Sequence, residues 1–258
     1  MSNIGLFGKM PSTGDFVSRG LSPRLCDGLD RLLQAALLAA TSEGLDRSEL
    51  MAQSPPIMLT IRPGVLCETG FNGLWYPSCD RVGRVFPMCV GLETAADSSL
   101  LPLMWPSVAL TRALCQTVAS VLQQKVGPDE LLARLPTNEQ WLSYSSQGLP
   151  FGGMEEETVP AISVDNSHLF LKGPEADMPV ATRALCTRLQ WVVEMMGTLV
   201  GVDGNSDAFF GSRSLLSWTP FAALFDGKWE HWGWSIYKPI PVNPPNGGET
   251  FLDKNLTS

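Results

Sequence analysis

The sequence predicts a mixed α/β fold. Long stretches carry apolar residues at helical spacing, short β-rich runs follow one another between tight turns, and a 44% hydrophobic content over 258 residues can fill a substantial core. Three runs, at 57–61, leading into Trp75 and Tyr76, and at 85–93, are joined by short links, the pattern of an antiparallel portion of a sheet.

Ile4 to Phe7 is an apolar run suited to a first strand, and residues 8–16 form a loop by their Gly, Pro, Ser and Asp content. Ser22 followed by Pro23 is a helix start, with the hydroxyl at the N-cap and the proline at N1. Leu25, Leu29, Leu32, Leu33, Ala36, Leu37 and Ala40 then recur on one face while Arg24, Asp27, Asp30, Arg31 and Gln34 face outward. A helical turn at 48–52 precedes the strand at 57–61, which Arg62-Pro63-Gly64 closes. Residues 106–126 form a second long helix whose broad apolar face, including Leu110, Leu114, Val118 and Leu122, implies burial against a sheet.

Shorter helices are expected at 128–135 and 138–143, then a Gly- and Pro-punctuated loop at 145–166 with an acidic run at Glu155, Glu156 and Glu157. A strand follows at 168–172 and a third long helix at 180–200, with Leu185, Leu189, Val192, Val193, Met196 and Leu199 on one side. A turn at 201–207, a strand at 214–218 and a helical turn at 220–225 complete the folded part. Trp229, Trp232 and Trp234 read as a lid on the core in preference to a binding surface, and the Pro-, Asn- and Gly-rich composition from Lys238 onward reads as a mobile tail.

A formal charge of −8 with only 17% charged residues, and no basic tract, argues against nucleic-acid and anionic-lipid partners. Residues 1–15 show no charged region leading into an apolar run, and no apolar stretch approaches the roughly 20 residues of a spanning helix. The expectation is a soluble, cytoplasmic chain without membrane insertion. The six cysteines include no C-x-x-C pair, so neither a zinc site nor a thioredoxin-like motif is expected. They read as buried thiols in a reducing compartment, and no metal or other cofactor is expected.

The densest chemistry lies at WYPSCDRVGRVFP, residues 75–87. Pro77 stops a continuing strand, Gly83 tolerates positive φ, and Asp80, Arg81 and Arg84 crowd the corner. Asp80 would cap the turn and pair with an arginine, locking the loop; alternatively, Arg84 and Phe86 beside Trp75 and Tyr76 have the composition of an interface hot spot. The first loop, GKMPSTGDF, invites comparison with a phosphate-binding loop. The Walker pattern fails there, with Asn3 where glycine is required and Met10 where a metal-binding hydroxyl is required. Lys9 with Ser12, Thr13 and backbone amides would still suit some anion.

Together the two loops resemble the paired signatures of the TagF family, also called ImpM, of bacterial type VI secretion systems. Gly-Lys-x-Pro-x-x-Gly-Asp-Phe falls on Gly8, Lys9, Pro11, Gly14, Asp15 and Phe16. Pro-Ser-x-Asp-x-x-Gly-Arg-x-Phe-Pro falls on Pro77, Ser78, Asp80, Gly83, Arg84, Phe86 and Pro87. The resemblance implies a three-layer αβα sandwich with a mixed, partly antiparallel central sheet flanked by long helices. It implies a single domain over 1–238 with a tail at 239–258. It further implies a non-catalytic, cytoplasmic, post-translational repressor whose partner is an FHA-domain scaffold protein, with any PppA-like phosphatase on a separate chain.

An enzyme would need an acid, base or nucleophile. His168 and His231 are the sole histidines, and no G-x-S-x-G, H-E-x-x-H or paired acidic metal motif is present. The best catalytic set is Asp15 and Asp80 at convergent loops, with Lys9 and Arg84 holding a phosphate or nucleotide. The preferred reading is a rigid polar surface or buried structural knot, in which Asp15 or Asp80 neutralises Arg84 or Arg81.

Overall fold

The computed structural model of the chain describes residues 3–42, 44, 46–96, 108–147, 168–172, 194–200, 206–212, 217 and 219–237. In chain order, β1 (Asn3–Gly8) and β2 (Val17–Arg19) lead into α1 (Pro23–Thr41) and α2 (Arg47–Gln53). The strands β3 (Ile57–Ile61), β4 (Gly70–Tyr76) and β5 (Met88–Thr94) precede α3 (Val108–Gln124), α4 (Pro128–Arg134) and α5 (Asn138–Gln147). After these come β6 (His168–Lys172), β7 (Met195–Val200), β8 (Ser206–Ser212), a 3-10 turn (Thr219–Ala222), α6 (Ala223–Asp226) and β9 (Ser235–Tyr237).

Among the described residues the nine strands form one sheet in the order β2-β1-β5-β4-β3-β7-β8-β6-β9. The β6 and β9 pairing is parallel and the others are antiparallel, so the sheet is mixed. The expected run of β3, β4 and β5 is antiparallel throughout.

Strand alternation divides the apolar residues between two cores. Phe7, Leu59, Trp75 and Cys89 join the buried face of α1, with Leu50, Phe221 and Phe225 from α2 and the 219–226 segment. Their neighbours Leu6, Met58, Leu74 and Met88 join Leu110, Leu114 and Val118 of α3, Leu131 of α4 and Trp141 of α5. Helices therefore cover both faces of the strands that carry the motifs. Each fully buried Leu or Phe contributes about 1.5–3 kcal/mol of hydrophobic stabilisation.

Buried polar groups fix how the helices sit. Ser22 caps α1, its hydroxyl accepting from the Leu25 amide, while its own amide and hydroxyl donate to the buried Glu93 carboxylate at 2.7 and 2.6 Å. Thr69 Oγ1 donates to the same carboxylate at 2.7 Å. On the opposite face the Trp141 indole donates to Asn72 Oδ1 at 2.8 Å, tying α5 to β4. Such satisfied buried groups specify orientation as well as stability.

The helix expected at 180–200 is corrected over its C-terminal part. Met195–Val200 is strand β7, paired with β3 and β8. The Phe210 ring lies so close to Gly197 that a Cβ there would come within 2.6 Å of it. Residues 180–193 lie outside the described residues. The turn expected at 201–207 is also corrected, because Ser206 and Asp207 open β8. The strand expected at 214–218 lies outside the described residues except for Ser217, as do the acidic run and the tail from Lys238. Trp229 and Trp234 are buried against Phe210, while Trp232 is half-buried. Among the described residues, no helix is long and apolar enough to cross a membrane.

Candidate functional site

The two loops named from sequence meet at one end of the strands because β1 and β5 are neighbours. Their register sets Gly8 opposite Met88, so the loop leaving β1 lies beside the loop entering β5. Hydrogen bonds to backbone carbonyls of the first loop join them. Ser78 Oγ donates to the Lys9 carbonyl at 2.7 Å, the Arg81 amide to the Thr13 carbonyl at 2.7 Å, and Arg84 Nη2 to the Gly14 carbonyl at 2.5 Å.

Asp80 is the centre of this junction, and its side chain is 0% exposed. Oδ2 receives the Lys9 ammonium at 3.2 Å and Arg84 Nε at 2.7 Å. Oδ1 receives the amides of Val82 at 3.0 Å and Arg84 at 2.9 Å. Burial alone would raise this carboxyl's pKa. Donation from the Arg84 amide and guanidinium, the Lys9 ammonium and the Val82 amide outweighs burial and holds it well below the usual carboxylate range. A carboxylate so held stays ionised at neutral pH and is poorly suited to act as a general base.

Of the pairings open at the sequence level, the structure shows Asp80 with Arg84, and adds Lys9. Asp15 is exposed and accepts from the Phe16 amide at 2.8 Å, a local turn contact. Arg81 is exposed beside Gly14, and Pro11 is half-buried in the first loop. Lys9 is only 8% exposed, so an incoming anion would have to compete with Asp80 for both cations.

The hot-spot composition of Trp75 with Phe86 does not form an exposed surface. Trp75 points into the α1 core against Phe225, with ring centroids 4.8 Å apart, and Phe86 is buried too. Strand alternation beneath a helix-covered face puts Trp75 inside. Phe16 is the exposed aromatic instead. Its ring stacks on Phe7 at 5.8 Å, meets Phe86 edge-on at 4.8 Å and lies 5.2 Å from the Lys9 ammonium.

The corner's tip runs from Arg81 to Arg84, all exposed, with Val82 at 68%. Sequence reasoning misses Val82, although a valine between Arg81 and Gly83 on a tight turn is the available signal. Gly83 has φ of +87°, and a Cβ added there would meet nothing within 4 Å, so only backbone strain opposes a side chain. Gly83→Ala should cost about 1–2 kcal/mol in urea denaturation and Gly83→Asn less, since Asn visits this conformation more readily.

The described cysteines are free thiols; Cys26 and Cys89 are buried, whereas Cys67, Cys79 and Cys115 are only half-buried, which corrects the expectation of uniformly buried thiols. Burial pushes up the pKa of Cys26 and Cys89, and raises that of Cys115 to about 11, so all three remain protonated at neutral pH.

Residues 5–137, just over half of the chain, match the family described as the TagF N-terminal domain, type VI secretion system-associated. Both motif loops lie within that span. No curated protein matches the chain. A crystal structure of PA0076 from Pseudomonas aeruginosa PAO1 is similar in fold, with a TM-score of 0.52 at 20% identity, over 95% of this chain and 100% of that one.

Proposed function

Because the chain belongs to the TagF N-terminal domain family associated with type VI secretion systems, we propose that it is a non-catalytic accessory regulator of that machine. In this reading it acts in the cytoplasm after translation, as a repressor, by binding an FHA-domain scaffold protein. Any PppA-like phosphatase in the same pathway would act from a separate chain. The observation that carries the reading is the full engagement of Asp80. Both its oxygens are occupied by donors from the two motifs, so the most buried acid of the site serves structure, while Arg81, Val82 and Arg84 stand on a rigid exposed tip. A preorganised tip bearing guanidiniums and an apolar side chain suits protein recognition, because little freedom is lost on binding.

The test is a pull-down from cytoplasmic extract with the intact chain as bait, beside the Val82→Asp variant. The wild type should retain an FHA-domain protein, and Val82→Asp should lose most of it while melting like the wild type, since the side chain is exposed. Absence of any FHA-domain protein from the wild-type bait would overturn the partner. Equal retention by both baits would remove the tip from the interface.

A further inference from the structure

We propose that the cleft between α1 and the two motif loops is a docking groove for a partner's peptide segment carrying carboxylates around a large apolar side chain. The inference rests on the reading of the chain as a protein-binding module and names a second surface for it. The cleft has a volume of about 670 Å³. One wall is α1, where Arg31, Gln34, Ala35 and Leu38 follow i, i+3, i+4, i+7 spacing and so share a face. The other wall is Phe16 with Val85 and Phe86, and Arg47, the first residue of α2, also lines the cleft.

The apolar half of the recognition comes from two unusually open side chains. Among the described residues five large hydrophobics are exposed, and two of them, Phe16 at 41% and Leu38 at 63%, line this one cleft. Phe16 is already held by Phe7, Phe86 and the Lys9 ammonium, so it would lose little freedom on binding. A fixed aromatic beside an exposed leucine is what an apolar anchor needs.

The charged half follows from the sign of the lining. Among the described residues it contains Lys9, Arg31 and Arg47 and no carboxylate, in a chain with 26 acidic and 18 basic residues overall. Lys9 is paired with Asp80, which Arg84 shares, while Arg31 and Arg47 are not ion-paired among the described residues. Acids stand near this lining without forming part of it, and Asp27 and Asp30 line an adjoining cleft that Arg31 also borders. Asp46 accepts the Ser48 and Glu49 amides at the start of α2, and Asp30 accepts from the Gln34 side chain. Two such guanidiniums around an apolar wall complement acidic groups flanking an apolar one. A nucleic acid is disfavoured by the −8 charge of the whole chain.

The experiment is fluorescence polarisation with the intact chain and a fluorescein-labelled dodecapeptide of alternating glutamate and leucine with a central tryptophan. The same peptide with lysine for glutamate, and a single-stranded DNA oligonucleotide of equal length, serve as comparisons. The acidic peptide should bind saturably and more tightly than either. Leu38→Asp, and Arg31→Glu combined with Arg47→Glu, should each weaken it by about tenfold or more. Their melting midpoints should match the wild type, because these side chains are exposed. No saturable binding of the acidic peptide, equal or tighter binding of a comparison probe, or undiminished binding by the folded variants would overturn the groove. If the acidic peptide binds as expected while the pull-down retains no FHA-domain protein, the groove stands and the proposed partner falls.

Discussion

Asp80→Asn should lower the melting midpoint by about 10 °C, the order expected for breaking a buried charge cluster in a chain of this size. The loss follows from donor counting. Each Asp80 oxygen receives two donors, Lys9 Nζ and Arg84 Nε on one and the Val82 and Arg84 amides on the other. An asparagine amide therefore sets its NH2 against two donors whichever way it turns, and Lys9 is left buried without its counterion.

The same group sets an acid limb. The folded-state pKa of Asp80 is depressed, so its stabilisation is fully present above the ordinary aspartate value of 3.8 and is lost as pH falls toward the folded-state value. From about pH 5 down to about pH 2, wild-type stability should therefore fall more steeply than that of Asp80→Asn. Melting curves across that range would show the two proteins converging. Parallel curves would mean that Asp80 is not the depressed carboxyl described above.

Gly8→Ala should be at least as damaging, lowering the midpoint by more than about 10 °C or preventing accumulation of folded protein. Gly8 has φ of +139°, and a Cβ there would come within 2.1 Å of the Pro87 carbonyl oxygen. The obstacle is backbone and the position of a Cβ is fixed by its own backbone, so no rotamer change relieves the contact. The residue belongs to the first motif and its obstacle to the second, which places a glycine requirement at their junction. Circular dichroism melting of the purified variant checks it, and a midpoint near wild type would show that the two loops can separate without cost.

Much of the fold was legible because local signals agreed with the tertiary outcome. Ser22 and Pro23 announced α1, whose Leu25-to-Ala40 stripe is its buried face. Pro77 marked the end of β4, and Gly83 carries the positive φ that the corner required. The 195–200 stretch failed for the opposite reason. Its Met and Leu spacing fits a helical face, but pairing with β3 and β8 decides its state, and that pairing is invisible locally. Gly197 was the neglected warning, since glycine is poor in a helix interior and often marks close approach in a strand.

The site was legible in composition and not in arrangement. Asp80, Arg84 and Lys9 were all identifiable, yet only the β1 and β5 pairing shows that Lys9 and Asp80 meet while Asp15 stays in solvent. Trp75 looked like a surface anchor because a sequence does not say which strand face is covered. The cleft residues Arg31 and Leu38 read as the ordinary outer face of an amphipathic helix. Only the motif loops lying opposite make that face a wall.

The most direct test of the central claim, that the two motifs close on each other through a structural charge cluster, is a double-mutant cycle by urea denaturation with Lys9→Met, Asp80→Asn and the combination. A charge-coupled knot predicts that the combined variant is less destabilised than the sum of the singles, because each single change strands a buried partner that the second removes. Additive losses would contradict it, showing that Lys9 and Asp80 stabilise the fold independently and that the junction of the loops does not depend on their pairing.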